Sequence, residues 1–241
     1  MNPIYLRKSS DKLLFLIHGY TGSPTDFNGL PEFVFQKYNV DVKVPLLPGH
    51  GTKIQDLDSL RFKDFYSFIE DEFKKTRKEY KQVIIGGVSF GAQLALLLAS
   101  RYRVHGVFTA CLPLELRFPF NVPGIQLLGF LKKYWAKRIT QDEQLLRKEA
   151  FHYTHMHANG LNIVTKANKA LQNAIPLIQS PVLSLHSIYD RIGHEKGFEK
   201  LETMLKVPHF KKIYTNKNHN LFFSESKNDA YHDIDQLFTN A

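Results

Sequence analysis

Short apolar runs recur along the chain, each followed by a longer stretch with helical spacing. The runs are "LLFLI" (13–17), "VDVKV" (40–44), "VIIGG" (83–87), "VHGVFTA" (104–110), "VLSLHS" (182–187) and "KKIYT" (211–215). Helical patterns fall near 25–38, 60–80, 91–102, 165–178, 194–206 and 226–240. A run such as "LLFLI" has no polar alternation, which suits a strand covered on both faces. Strands that alternate with helices imply right-handed crossovers and a parallel sheet. The expected class is α/β, a mostly parallel central sheet with helices on both faces.

One interval breaks the rhythm. Residues 113–164 carry Pro113, Pro119, Pro123, Gly124 and Gly129 among two mixed patterns, "IQLLGFLKKYW" and "DEQLLRKEAFHY". That is too long for a simple connection, so it reads as an insertion with its own helices. The expected division is a core of 1–112 and 165–241, with 113–164 as a cap over the sheet's carboxyl edge.

Composition narrows the picture. At 241 residues and 43% hydrophobic, the chain can bury a full core. Its one cysteine, Cys111, allows no intramolecular disulfide and no multi-thiolate metal cluster, and it reads as a small buried residue. The start, "MNPIYLRKSSDK", lacks the apolar core of a signal peptide, and no apolar run reaches membrane-spanning length. A cytoplasmic protein without stable membrane insertion is expected. The net charge of +9 is scattered along the chain, with acidic neighbours such as Glu70-Asp71-Glu72. No nucleic-acid partner is therefore expected, and only a weak attraction to anionic surfaces remains. No phosphate-cradling fingerprint is present, so no cofactor is expected. "FHYTHMH", with His152, His155 and His157, has a metal-like look. It reads as helical or irregular and lacks a clear carboxylate partner, so no metal is expected there either.

The strongest local signal is "IIGGVSFGAQLALLLAS" (84–100), where Ser89 stands between Gly87 and Gly91 at a strand-to-helix junction. A serine at such a sharp turn projects into the crevice above the sheet, and the residues two before and two after it must be very small. The helix N-terminus that follows favours an anion there. A serine hydroxyl needs a base, and the base an orienting acid. Asp190 follows the strand "VLSLHS", and His219 follows "KKIYT", so the order Ser…Asp…His is met. Asp190 could instead open a turn or cap a helix. A tetrahedral oxyanion needs two aimed N–H donors. Phe90 and the loop "LIHGYTGSP" (16–24), at Tyr20, are the candidates, with His18 as a brace for the loop.

Together "HGYTGSP", "PLLPGHG" (45–51), "GVSFG", "SIYDRIG" and the loop histidine resemble the α/β-hydrolase superfamily. Within it they look most like small bacterial carboxylesterases and monoacylglycerol-lipase-like serine hydrolases. The resemblance implies Ser89 as nucleophile, Asp190 as acid and His219 as base, with Tyr20 and Phe90 as oxyanion donors through their backbone. It also implies no cofactor and a small ester as substrate. In two places the chain departs from the pattern. The family's opening antiparallel strands are largely missing, although "PIYLR" could supply one, giving about seven strands or fewer. Asn218 stands beside the histidine where relatives often have glycine or serine. The expected activity is hydrolysis of short- to medium-chain acyl esters or monoacylglycerols. A thioesterase with the same residues, or a binding protein on a hydrolase scaffold, are the alternatives. The apolar residues Leu116, Phe118, Phe120, Val122, Ile125, Leu127, Leu128, Phe130, Leu131 and Trp135 are expected to line an acyl pocket, with Lys132, Lys133 and Lys137 facing water.

Overall fold

The computed structural model describes residues 1–122, 133–137, 150–215 and 218–239. Its strands are β1 (Ile4–Leu6), β2 (Lys12–Ile17), β3 (Asp41–Val44), β4 (Gln82–Val88), β5 (Gly106–Ala110), β6 (Tyr134–Ala136), β7 (His155–His157), β8 (Val182–Ser187) and β9 (His209–Tyr214). Its helices are α1 (Leu30–Lys37), α2 (Phe62–Arg77), α3 (Phe90–Ala99), α4 (Asn159–Ala174), α5 (Lys196–Met204) and α6 (Lys227–Thr239). Seven strands form one sheet in the order β1-β3-β2-β4-β5-β8-β9. All its pairs are parallel except β1 with β3, where Ile4 faces Val44. The segment "PIYLR" thus supplies the one antiparallel strand.

Burial explains the unbroken apolar runs. Along β2, Leu13, Phe15 and Ile17 enter one core layer with Phe65, Ile69 and Phe73 of α2 and with α3 and α4. Leu14 and Leu16 point to the other face, against Leu30 and Val34 of α1 and Ile234 and Phe238 of α6. With both faces covered, no position is left for polar alternation. In α2 the buried residues Phe65, Ile69, Phe73 and Thr76 recur at three- and four-residue steps, a single apolar stripe.

The order of the strands fixes where a ligand can sit. From β2 the chain moves outward to β3, then returns past β2 to β4 and continues towards β9. The switch point therefore lies between the carboxyl ends of β2 and β4, where a crevice opens in sheets of this kind.

The interval 113–164 differs from expectation where it is described. Tyr134 and Trp135, expected in a helix, are in β6, which pairs antiparallel with β7. His155–His157 is likewise a strand. Each strand has only three residues, and a partner about 20 positions away decides their conformation; Tyr134 faces His157, with ring centroids 5.5 Å apart. The rest of both expected helices, 125–132 and 142–149, lies outside the described residues. Helix α4 begins at Asn159, six residues before the expected 165, and ends at Ala174 in a short 3-10 turn containing Pro176. The returning segment is tied to loops at the carboxyl edge of the sheet. The Tyr153 N–H donates to the Thr21 carbonyl (3.0 Å), and its hydroxyl to the Gly49 carbonyl (2.6 Å). Among the described residues, no helix is long and apolar enough to cross a membrane.

Candidate active site

Strand β4 hands over to α3 at Ser89, whose backbone has φ 53 and ψ −118. This region is strained for any residue with a side chain, by roughly 1–3 kcal/mol, and such strain persists only where the surroundings impose it. The surroundings here are two glycines. A Cβ at Gly87 would lie 2.2 Å from the Gly91 carbonyl oxygen, and one at Gly91 would lie 1.9 Å from that of Ile17. Only glycine lets α3 approach β2 and β4 this closely. The amide of Ser89 donates to the Ala110 carbonyl (2.8 Å), which locks the turn to β5.

Three sequence-predicted residues, far apart in the chain, meet at this turn. His219 Nδ1 lies 2.8 Å from both carboxylate oxygens of Asp190, and His219 Nε2 lies 2.7 Å from Ser89 Oγ. An ionised carboxylate can only accept, so the proton sits on Nδ1 and Nε2 is free to accept from the serine hydroxyl. Asp190 is buried and follows β8; Oδ1 also accepts from the Ile192 amide (2.8 Å). His219 follows β9. Asn218, beside it, is buried and donates to the Phe223 carbonyl, closing the histidine's loop. The larger side chain thus has a bracing job that glycine or serine could not do.

Phe90 is the first residue of α3, so its N–H has no helical carbonyl behind it. The loop after β2 brings Tyr20 beside it, with ring centroids 5.9 Å apart. Two histidines hold this loop from behind. His18 Nε2 accepts from the Leu47 amide (3.0 Å), which leaves its Nδ1–H to donate to the Gly19 carbonyl (2.9 Å). Burial, helped by the nearby His50, keeps His18 neutral by pulling its pKa well down. His50, from "PLLPGHG", bonds the Tyr20 carbonyl through Nε2 and lies 2.9 Å from the Pro48 carbonyl through Nδ1. Both histidines brace the loop.

Other contributors were not legible in the sequence. Asp26 Oδ2 accepts from the Gly19 N–H (3.0 Å), and a Cβ at Gly22 would lie 1.8 Å from the same oxygen. The carbonyl of Asp26 accepts from Asn220 Nδ2 (3.0 Å), so one residue connects the glycine loop to the histidine loop. Arg117 clamps the acid's loop. Its amide donates to the Ile192 carbonyl (2.9 Å), and its guanidinium bonds the Ile188 carbonyl (2.9 Å) and Glu195. Nothing in "SPTDF" or "LELRF" announces these roles, because each depends on a partner distant in sequence. The general preference of Asp for turns was the only available signal.

The histidine cluster disperses. His155 is exposed and bonds Thr154, and His152 bonds the Ala150 carbonyl. His157 is buried, its Nε2 2.9 Å from Asp58 Oδ1, a carboxylate partner that the sequence did not suggest. Among the described residues, these three form no metal-ligating group. Of the expected acyl-pocket residues, Leu116 and Phe120 are half-buried, but Phe118 is 79% exposed and Val122 and Trp135 are also exposed. Residues 125–131 of that set and Lys132 lie outside the described residues. Lys133, expected to face water, is exposed and also pairs with Asp58 and Tyr134.

The comparisons with known proteins agree with this architecture. Over 100 residues the chain is 30% identical to a thermostable monoacylglycerol lipase of Bacillus sp. (strain H-257), a match spanning 42% of this chain and 39% of that protein. Over 186 residues it is 22% identical to a carboxylesterase of Bacillus subtilis (strain 168), covering 77% of this chain and 74% of that one. The fold superposes with a TM-score of 0.83 on a structure from work on the metagenome-derived lipolytic enzymes LipS and LipT, at 17% identity, covering 100% of this chain and 98% of that chain. A profile of the alpha/beta hydrolase family matches residues 14–233, and the chain belongs to that family.

Proposed function

We propose that the protein is a serine hydrolase of carboxylic esters, taking short- to medium-chain acyl esters or monoacylglycerols. The observation that carries this reading is the unbroken relay from Ser89 Oγ through His219 to Asp190, at 2.7 and 2.8 Å, on a strained and glycine-flanked turn. In this reading Ser89 Oγ attacks the ester carbonyl carbon while His219 Nε2 takes its proton. Asp190 holds the Nδ1–H and stabilises the imidazolium as it forms. The carbonyl oxygen becomes an anion between the N–H groups of Tyr20 and Phe90, with the N-terminal end of α3 adding its positive dipole. Collapse expels the alkoxide, which leaves as the alcohol with the proton from His219. Water then gives a proton to the same nitrogen as it attacks the acyl-enzyme. The acid departs and the proton returns to Ser89.

Relatives named monoacylglycerol lipase and carboxylesterase support esters as the substrate class. Segment 113–164, tied to the loops around Thr21 and Gly49, would cap the crevice. Each methylene it buries should then favour the longer acyl chain by about 0.8 kcal/mol until the pocket is full. The test is a series of p-nitrophenyl esters, monoacylglycerols and acyl thioesters, run beside fluorophosphonate labelling. Stoichiometric labelling of Ser89 with an ester burst supports the reading. A preference for thioesters moves the assignment to a thioesterase. Neither burst nor labelling would make the protein a binding scaffold.

A further inference from the structure

Close to Asp190 lie two side chains, those of Cys111 and His186, that ester hydrolysis does not use. Cys111 immediately follows β5, and His186 lies in β8, four residues before the acid. One potential ligand atom from each of Cys111, His186 and Asp190 lies within 4.8 Å of the others. All three residues are at most 1% exposed. His186 Nε2 is buried without a hydrogen-bond partner, the kind of orphan that a folded protein rarely tolerates without a use. A Cβ at Gly193 would lie 3.2 Å from both Asp190 Oδ2 and His186 Cε1, so these two side chains border one small space.

A thiol, an imidazole and a carboxylate form the donor set of zinc and similar borderline-soft cations. One cysteine rules out a multi-thiolate cluster, but it does not rule out a mixed site. We propose that Cys111, His186 and Asp190 form an inhibitory site for a zinc-type divalent cation. Ligand atoms around a tetrahedral zinc lie roughly 3.3–3.7 Å apart, so closure needs side-chain shifts of about 1 Å. The cation forms a bond to the Cys111 sulfur as the thiol proton leaves to solvent, with no change of oxidation state. Hydrogen bonds from the backbone at Ser187 and Leu221 already favour the thiolate, against burial and the charge of Asp190, which together push the thiol's pKa well up. Once Asp190 ligates the cation through one oxygen, the cation's charge offsets that of the carboxylate, even where the other oxygen keeps its hydrogen bond to His219 Nδ1. The imidazolium is then stabilised less, and none of the three ligands is an oxyanion donor. The expected signature is a fall in kcat with little change in KM.

The experiment titrates zinc and, separately, cobalt into the wild-type protein, Cys111→Ala and His186→Asn. Ester hydrolysis and the near-ultraviolet sulfur-to-cobalt charge-transfer band are both followed. Wild type should lose at least about tenfold in kcat and regain it with EDTA; each variant should keep its metal-free rate within about twofold and need at least about tenfold more metal. The charge-transfer band should appear in wild type and vanish in Cys111→Ala. Inhibition of equal strength in all three proteins would put the metal on His219 and Ser89 instead and overturn the proposal. So would the absence of inhibition, or of the cobalt band, at millimolar metal. The kinetic signal rests on the hydrolase reading; the cobalt band does not, so a failure of either idea can be told from the other.

Discussion

At the scale of single residues, the turn at Ser89 makes the sharpest demands. Ser89→Ala should abolish fluorophosphonate labelling and lower turnover on the order of 10^4- to 10^6-fold, leaving what the oxyanion donors and binding supply. Wild-type labelling at another serine would sink the assignment. Gly91 tests the geometry independently of chemistry. Its hypothetical Cβ sits 1.9 Å from a β2 carbonyl, and backbone cannot swing aside as a side chain can. Gly91→Ala should therefore destabilise by about 3–5 kcal/mol in urea unfolding. Gly197, inside α5, is the control: a Cβ there meets nothing closer than 3.4 Å. Gly197→Ala should be neutral or stabilise by up to about 1 kcal/mol, since alanine favours the helix and narrows the unfolded ensemble. Equal effects at the two glycines would mean that the close approach of α3 to β2 is not what the turn requires.

Between elements, the loop after β2 must hold its donors in place, and Asp26 is its brace. Asp26→Ala leaves the Gly19 N–H without its acceptor and should lower kcat roughly ten- to a hundredfold, with a smaller change in KM. A rise in KM at constant kcat would instead make Asp26 part of ground-state binding. The brace also shows the limit of what the sequence could say. The large strands were legible because burial on both faces writes itself as continuous apolar runs, as in Leu13–Ile17. Ser89, Asp190 and His219 were legible because a turn after a strand is a local feature and the three follow in a known order. Asp26, Asn220 and Arg117 were not, because each acts on a backbone group that only the fold brings near. β6 and β7 were missed for a related reason. Three residues carry too little periodicity to outweigh the helical look of their neighbours, and their pairing is tertiary. The early start of α4 at Asn159 was hidden because "NGLNIV" opens with glycine and asparagine, residues that usually mark a turn.

At the scale of the whole molecule, the buried histidines set how the fold answers acid. His18, His50, His157 and His186 are each at most 4% exposed, and burial lowers the pKa of all four from an ordinary 6.5. In the unfolded chain they take up protons near that ordinary value; in the folded protein they resist until the pH is lower. Below about 6.5 the unfolded state therefore binds more protons, and acid favours unfolding. The stability they contribute is complete above the unfolded value and is lost as the pH falls towards the depressed folded values. Each histidine that stays neutral adds up to about 1.4 kcal/mol per pH unit, so the four together set a ceiling of about 5.5 kcal/mol per unit. The carboxylates whose pKa is depressed, Asp58, Glu70 and Glu202, act in a separate window. Their contribution is lost only below their ordinary values of 3.8 and 4.5. Urea unfolding free energies should therefore be nearly flat from pH 8 to 7 and fall steeply between 6.5 and 5, before those acids begin to titrate. His186→Asn is the informative variant, because its Nε2 gives up no hydrogen bond. It should flatten the slope by up to about 1.4 kcal/mol per unit while leaving the plateau above pH 7 within about 1 kcal/mol of wild type. A wild-type curve that stays level down to pH 5, or a slope unchanged in His186→Asn, would show that these histidines are not what couples the fold to pH.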